Sequence, residues 1–129
     1  MSARVPSPDE VAPGGVDRGR ARAALASDRA ELLGRLRALR GQFDDIVEAT
    51  TDVSTDDEHD PEGATIAYER AQVAALADHA RRRLSEVDDA VRRLDQGRYG
   101  TCQRCSEPIP DARLEARPYA RTCVGCATR

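Results

Sequence analysis

The sequence predicts a mainly α-helical protein: a long antiparallel helical hairpin, or coiled coil, followed by a small module built on four cysteines. Three observations carry this prediction. Aromatic residues make up only 3% of the 129 residues, apolar residues recur in heptads along two Pro-free stretches, and all four cysteines lie near the C-terminus. So little aromatic area makes a sandwich, a barrel or a doubly wound sheet a poor candidate, because aromatic side chains usually supply much of a thick core.

Composition also narrows the function classes. The formal net charge is −3, and all twenty basic residues are Arg. Non-specific coating of nucleic acid by bulk positive charge is therefore not expected. No apolar run approaches the ~18 residues of a membrane span, and the N-terminus lacks the apolar segment of a secretory signal. The sequence predicts a soluble, cytoplasmic protein with no membrane segment.

The N-terminal residues 1–15 show no periodicity and contain three Pro and two Gly. Such a composition cannot bury enough apolar surface to offset the entropy of ordering. We expect a disordered N-terminal tail here.

The first predicted helix covers about residues 16–50. Its apolar residues are spaced by sevens, fours and threes, which is the seam of a coiled coil; they are Leu25, Leu32, Leu36, Leu39, Phe43 and Ile46. Gly34 and Gly41 each weaken the helix by up to ~1 kcal/mol relative to Ala without removing the pattern.

A second heptad pattern runs from about residue 63 to 96. Its members are Ile66, Val73, Leu76, Ala80, Leu84, Val87, Val91 and Leu94. Two helices of matched length joined by a short loop favour an antiparallel hairpin over residues 16–98. The alternative is an intermolecular coiled coil between two chains. The matched lengths favour the hairpin and hence a monomer.

The segment that joins the helices, residues 51–62, is strongly acidic. It contains no Arg and six acids, which are Asp52, Asp56, Asp57, Glu58, Asp60 and Glu62. Carboxylates at the tip of a hairpin could reach a magnesium-bearing or Arg-lined cavity and would be repelled by nucleic acid. The alternative is local: Asp60 before Pro61 is a good N-cap, and the other acids keep a turn soluble. Asp57, Glu58 and Asp60 are the candidate functional residues.

The four cysteines form two C-x-x-C pairs, Cys102/Cys105 and Cys123/Cys126, with seventeen residues between the pairs. This spacing presents four thiolates to one zinc ion, and four protein ligands leave no open position for catalysis. We therefore predict one structural zinc. Two disulfides or a redox pair are the alternatives, which the missing secretion signal and the missing βαβ context disfavour.

The residues around the pairs fit such a module, which we place at residues 99–129. Ile109 and Leu114 can form a small apolar floor. Arg104, Arg121 and backbone amides around Gly125 are candidate donors to the charged thiolates. Because so short a segment cannot build a hydrophobic core, we expect its folding to depend on metal binding.

The cysteine module resembles the four-cysteine zinc finger of the DksA/TraR family, bacterial regulators that bind RNA polymerase. The resemblance rests on the offsets of six residues, Cys105, Ile109, Arg113, Pro118, Cys123 and Cys126, and on the run R-L-E-A-R-P at residues 113–118. Tyr99-Gly100 also matches the family's aromatic-Gly pair. Gln103 stands where members often carry an acid or Ser, and the chain stops three residues after Cys126, where longer members continue into a helix.

The resemblance implies a function as well as a fold. In the family, the coiled coil enters the secondary channel of RNA polymerase, and tip acids in a D-x-x-D-x-A pattern act near the catalytic magnesium. The pattern can be placed on this sequence in two ways, each with a mismatch. If Asp57 and Asp60 are the two acids, Glu62 stands in place of Ala. If the pattern starts at Asp60, Gly63 stands in place of the second Asp. Some members bind guanosine tetraphosphate through basic residues of the second helix, but these cannot be matched here position by position. The sequence does not predict nucleotide dependence.

Other polar residues have simpler interpretations. The runs Arg81–Arg83 and Arg92–Arg93 are expected on the outer face of the second helix, with pairing to polymerase or nucleotide as the alternative. His59 and His79 are isolated and expected to be exposed. No nucleophile–base pair or open metal site predicts an enzyme. Two competing functions remain: a zinc-ribbon adaptor with another partner, and nucleic-acid binding through finger residues, namely Arg104, Arg113, Arg117, Tyr119 and Arg121.

Overall fold

The computed structural model describes residues 11–12, 16–51 and 61–128. Two long helices dominate the described residues, α1 (Arg18–Thr51) and α2 (Pro61–Asp95). Two short strands, β1 (Val11–Ala12) and β2 (Val16–Asp17), precede them, and two short helices, α3 (Asp111–Ala116) and α4 (Val124–Ala127), follow. The predicted fold class, mainly helical with four clustered cysteines, is confirmed. Among the described helices, none combines the length and apolarity that crossing a membrane requires.

The chain divides into two compact units, which we describe separately. The cysteine unit comprises residues 1–30 and 85–129, and the helical unit comprises residues 31–84. The cysteine unit therefore contains the first part of α1 and the last part of α2 as well as the four cysteines. The boundaries predicted from the sequence, 16–98 and 99–129, follow secondary structure instead and stay a prediction.

Helix α1 begins where Asp17 provides an N-cap. Its Oδ1 accepts a hydrogen bond from the backbone N–H of Arg20 at 3.1 Å, the geometry that satisfies a free amide of the first turn. Just before it, β1 and β2 pair antiparallel, with Val11 opposite Asp17 and Ala12 opposite Val16. Residues 11–12 of the expected disordered tail are thus in a strand pair. The tail's other residues lie outside the described ones.

Helix α2 begins at Pro61, whose fixed φ suits the first helical position. The expected cap, Asp60, lies outside the described residues, as do Asp57 and Glu58. The helix ends at Asp95 in a Schellman motif: the amide of Gly97 bonds the carbonyl of Leu94 at 3.2 Å, and the amide of Arg98 bonds that of Arg93 at 2.8 Å. Gly97 takes φ of +73°, which glycine adopts without strain.

Within the cysteine unit, α1 and α2 pair antiparallel. Arg22 bonds Asp95 at 2.7 Å and Arg29 bonds Asp88 at 3.0 Å, so seven residues forward on one helix match seven backward on the other. Exposed pairs of this kind contribute at most about 1 kcal/mol each, so packing holds the helices together. The side chains between the helices are fully buried; they are Leu25, Val87, Ala90 and Leu94.

Within the helical unit, the seam is thinner. Leu32, Leu39, Val73 and Ala80 are buried, and the guanidinium of Arg70 lies 5.6 Å from the centre of the Phe43 ring. The seam prediction is wrong at Leu76, which is 50% exposed. Val73 and Ala80, one heptad apart on either side of Leu76, are both buried, so the contact line of α2 in this unit runs through those positions and Leu76 lies beside it.

Buried and half-exposed leucines should differ in their effect on stability. We expect Leu25→Ala to lower the free energy of unfolding by about 2 to 4 kcal/mol, because the Leu25 side chain is fully buried. Leu76→Ala, the matched control, should cost less than about 1 kcal/mol, because half of that side chain already contacts water. Urea unfolding followed by circular dichroism measures both, and equal losses would contradict the packing described here.

Candidate metal centre

The four cysteine sulfurs lie together. The Sγ atoms of Cys102, Cys105, Cys123 and Cys126 are all within 4.8 Å of one another, and those of Cys105 and Cys123 are 3.8 Å apart. Tetrahedral zinc–sulfur bonds of about 2.3 Å require sulfurs about 3.8 Å apart. All four cysteines are free, so the disulfide alternative is not realised. The donor set fits one zinc ion, with every coordination position supplied by protein.

The first pair sits in a tight backbone turn. The amide of Cys102 bonds the carbonyl of Glu107 at 2.8 Å, and the amide of Ser106 bonds the carbonyl of Cys102 at 3.0 Å. The turn demands a left-handed conformation at Ser106, with φ of +64°, which a residue with a side chain adopts at some cost. An isolated bridge between Thr101 and Pro108 closes the turn. This geometry aims both thiols of the pair at one point.

The second pair is positioned by side chains that bond backbone carbonyls. Nε of Arg113 donates to the carbonyl of Thr122 at 2.8 Å, directly before Cys123. Nη1 of Arg104, between the first two cysteines, donates to the carbonyl of Cys126 at 3.2 Å. Arg104, expected from the sequence to donate to thiolates, thus also links the two pairs through the backbone.

The apolar floor of the module is confirmed: Ile109 and Leu114 are buried. Tyr99 is also buried, and its hydroxyl donates to the carbonyl of Pro118 at 2.7 Å. No structural role was predicted for this residue. Burial raises the pKa of Tyr99 to about 12, although the charge of Arg93 acts in the opposite direction.

The expected exposure of Arg93 is wrong, because this residue is only 5% exposed. Its Nη2 approaches the carbonyls of Tyr119 and Ala120 at 3.4 Å each. Burial lowers the pKa of Arg93, and the positive charge of Arg121 adds to the effect. The heptad pattern could not reveal this, since the partners lie 26 and 27 residues further along the chain. The neighbouring Arg92 is exposed and pairs with Asp89, as an outer-face residue should.

The thiols perturb one another strongly. The backbone amide of Cys105 is the largest influence on Cys102, whose pKa is lowered to about 6. The pKa of Cys126 is raised to about 12, chiefly by the Cys123 side chain and by burial. Further amide bonds to Cys102 come from Cys123 and Arg104. Donation by amides around Gly125 stays a prediction. Four adjacent thiolates therefore need a cation, and a divalent metal supplies it when bound.

Comparison with known proteins supports the same site. Residues 97–129 match the model of the prokaryotic dksA/traR C4-type zinc finger. The solved structure of transcription factor DksA2 from Pseudomonas aeruginosa superposes with a TM-score of 0.72 and 28% sequence identity, covering 87% of this chain and 81% of that one. The resemblance to DksA/TraR proteins is confirmed, and with it one structural zinc as the cofactor.

Two curated relatives extend the comparison. The RNA polymerase-binding transcription factor DksA of Caulobacter vibrioides is 43% identical over 61 residues, which cover 47% of this chain and 43% of the relative. General stress protein 16O of Bacillus subtilis is 31% identical over 94 residues, 73% of this chain and 56% of the relative. The chain thus spans about half the length of these relatives.

Metal content can be tested on purified protein. We expect one zinc per chain by elemental analysis without added metal, and loss of zinc in Cys102→Ser, because three thiolates hold zinc less tightly than four. Ser106→Gly is the matched control: it changes the same turn, leaves the cysteines intact and suits the φ of that position. Equal zinc content in wild type and Cys102→Ser would contradict the four-cysteine site.

Because burial raises the pKa of Tyr99, we expect the free energy of unfolding to fall at alkaline pH. The pKa of this residue in the folded protein, about 12, lies above the ordinary value of 10.0, so the buried neutral phenol stabilises the fold fully below pH 10. As pH rises from 10 to above 12, the unfolded chain loses its proton first, and up to about 3 kcal/mol of stability is lost. Urea unfolding from pH 8 to 11.5 should show a steeper decline for wild type than for Tyr99→Phe. Parallel declines would contradict this.

Proposed function

We propose that this protein is a non-enzymatic transcription regulator that binds RNA polymerase by protein–protein contact. The observation that carries the proposal is the similarity to DksA2, which extends over 87% of the chain and is not limited to the cysteine module. The name of the Caulobacter relative states polymerase binding for that protein. A regulator of this kind would work in the cytoplasm, as a monomer, without binding specific DNA sequences.

We assign the zinc ligands to the four clustered cysteines, Cys102, Cys105, Cys123 and Cys126. Zinc bound there neutralises the thiolates and fixes the two C-x-x-C turns against each other. No described residue pairs a nucleophile with a base at this centre, and zinc held by four thiolates has no position for a substrate. The role of the metal is structural.

The action on polymerase is assigned to the hairpin tip, inserted into the secondary channel. Asp57, Glu58 and Asp60 belong to an acidic segment without Arg, and carboxylates of this kind favour a site that carries magnesium or Arg. The three tip acids lie outside the described residues, so the role of the tip is argued from the sequence. The D-x-x-D-x-A pattern of the DksA/TraR family is matched only in part. Guanosine tetraphosphate is not part of the proposal.

The competing nucleic-acid function is less well supported. Of the finger residues that would contact phosphate, Arg104 and Arg113 already donate to the carbonyls of Cys126 and Thr122. A bonded guanidinium is less available to a phosphate, and Tyr119 offers little area for stacking bases. A zinc-ribbon adaptor with a different partner would share every structural feature described above, so the experiment must identify the partner.

The test combines binding and transcription with purified RNA polymerase. We expect the wild type to bind the enzyme and to be displaced by a known secondary-channel ligand. Asp57→Ala and Asp60→Ala should still bind polymerase. The change in promoter output that each variant causes should be at most about one third of the change caused by wild type, because the variants lack charge where the tip would act. Asp52→Ala, an acid of the same segment outside the D-x-x-D placement, is the matched control.

Each result bears on a different part of the proposal. Failure to bind polymerase would favour the adaptor function. Binding without competition would remove insertion into the secondary channel. Unchanged output from Asp57→Ala and Asp60→Ala would remove the role of the tip.

A further inference from the structure

The helical unit carries an exposed apolar row on α2. Tyr68 is 70% exposed and Leu76 is 50% exposed, and they are two of the three large hydrophobic residues that are exposed among those the structure describes. Gln72 lies between them at the spacing of four residues that forms a continuous ridge along a helix. We call Tyr68, Gln72 and Leu76 the exposed ridge. The exposed part of its apolar area, most of Tyr68 and half of Leu76, is not used in packing the helical unit.

The exposed ridge borders a groove of about 420 Å³ between α1 and α2. Ile46 and Val73 contribute apolar surface to the groove, together with Leu76 of the ridge. Val73 is buried whereas Leu76 is half-exposed, so the apolar surface continues from the seam outward to the ridge. An apolar side chain of a partner could therefore be buried here without rearrangement of the helices.

The charges around the groove all have one sign. Asp45 and Glu69 are its only charged lining residues, and neither takes part in an ion pair with another described residue. A second groove of the helical unit differs: its charged lining is mixed, with Arg40, Asp44, Asp78 and Arg81, and Arg81 bonds Asp78 at 2.9 Å. Of these two grooves, only the one beside the exposed ridge presents negative charge that no described residue compensates next to apolar surface.

We infer that this groove and the exposed ridge dock a protein segment in which an apolar side chain is flanked by Arg or Lys. The apolar side chain would cover Ile46, Val73 and Leu76, and the basic side chains would meet Asp45 and Glu69, where exclusion of water strengthens the attraction. The inference rests on the proposed function, so the segment belongs to RNA polymerase. It adds a contact surface separate from the acidic tip.

A second copy of this chain fits the groove poorly. A symmetric dimer through this face would set the same surface of each copy against the other, bringing the carboxylates of Asp45 and Glu69 near those of the partner copy. Like charges at an interface oppose association. The charge of the groove therefore favours a basic partner over self-association.

Site-specific photocrosslinking tests the contact. A benzophenone amino acid is placed at Tyr68 or Leu76, and, as the control, at Ala74, which is exposed on the same helix and lines the other groove. With purified RNA polymerase, we expect crosslinks from positions 68 and 76 at least about fivefold above those from position 74. Mass spectrometry should find the linked polymerase peptide to contain Arg or Lys beside an apolar residue.

Affinity measurements give an independent readout. The double variant Tyr68→Ala/Leu76→Ala should bind polymerase about 5- to 30-fold more weakly, since truncating apolar anchors at an interface typically has effects of this size. Asp45→Asn/Glu69→Gln should reduce both the affinity and its dependence on salt. Arg82→Ala, an exposed residue of the same helix outside both grooves, should bind like wild type. Circular dichroism checks that all variants remain helical.

The outcomes separate this inference from the proposed function. If polymerase binds but positions 68 and 76 crosslink no better than 74, the docking surface is wrong and the proposed function stands. Crosslinks between two copies of the chain, or a linked polymerase segment rich in acids, would also overturn it. If polymerase does not bind at all, both proposals fall.

Discussion

The cysteine unit depends on the close approach of four thiols that repel one another once ionised. The pKa of Cys126 is raised to about 12, chiefly by the Cys123 side chain and by burial, so the cluster opposes carrying four charges by itself. The pKa of Cys102 is lowered to about 6, chiefly by the backbone amide of Cys105. A bound dication removes that conflict and turns repulsion into a crosslink between distant parts of the chain. The turn at Ser106 and the short helix α4 carry the cysteines whose sulfurs must meet.

The metal does not act alone in ordering this unit. Tyr99 and Arg93, which belong to the end of α2 and the turn after it, both contact the segment just before the second cysteine pair. Ile109 and Leu114 are buried in the same unit as Leu25 and Leu94. Tyr99 and Leu114 line one pocket with Ala21 and Ala24 of α1, so the module packs against the first part of that helix.

The sequence was most informative where one local pattern determines the structure. Heptads located α1 and α2 to within two residues, and the C-x-x-C spacing identified the four cysteines that meet. It failed where the outcome depends on contacts between distant residues. Arg93 looks like any charged residue of an outer face, since the carbonyls that it bonds are set by the path of the chain after α3. Leu76 looks like a seam residue, because spacing alone does not show which apolar positions of a heptad face the partner helix. The tip acids, Asp57, Glu58 and Asp60, lie outside the described residues and rest on sequence alone.

Three long-range side-chain bonds around the cysteines share one property: they end on backbone carbonyls. Tyr99 bonds Pro118, Arg113 bonds Thr122 and Arg104 bonds Cys126, in each case through the main-chain oxygen. A carbonyl is present whatever the side chain, so these bonds restrict the identity of the donor and not that of the acceptor. Evolutionary constraint should therefore be asymmetric within each bonded pair. Substitutions would accumulate at positions such as 119 and 122, while Arg93, Tyr99 and Arg113 persist.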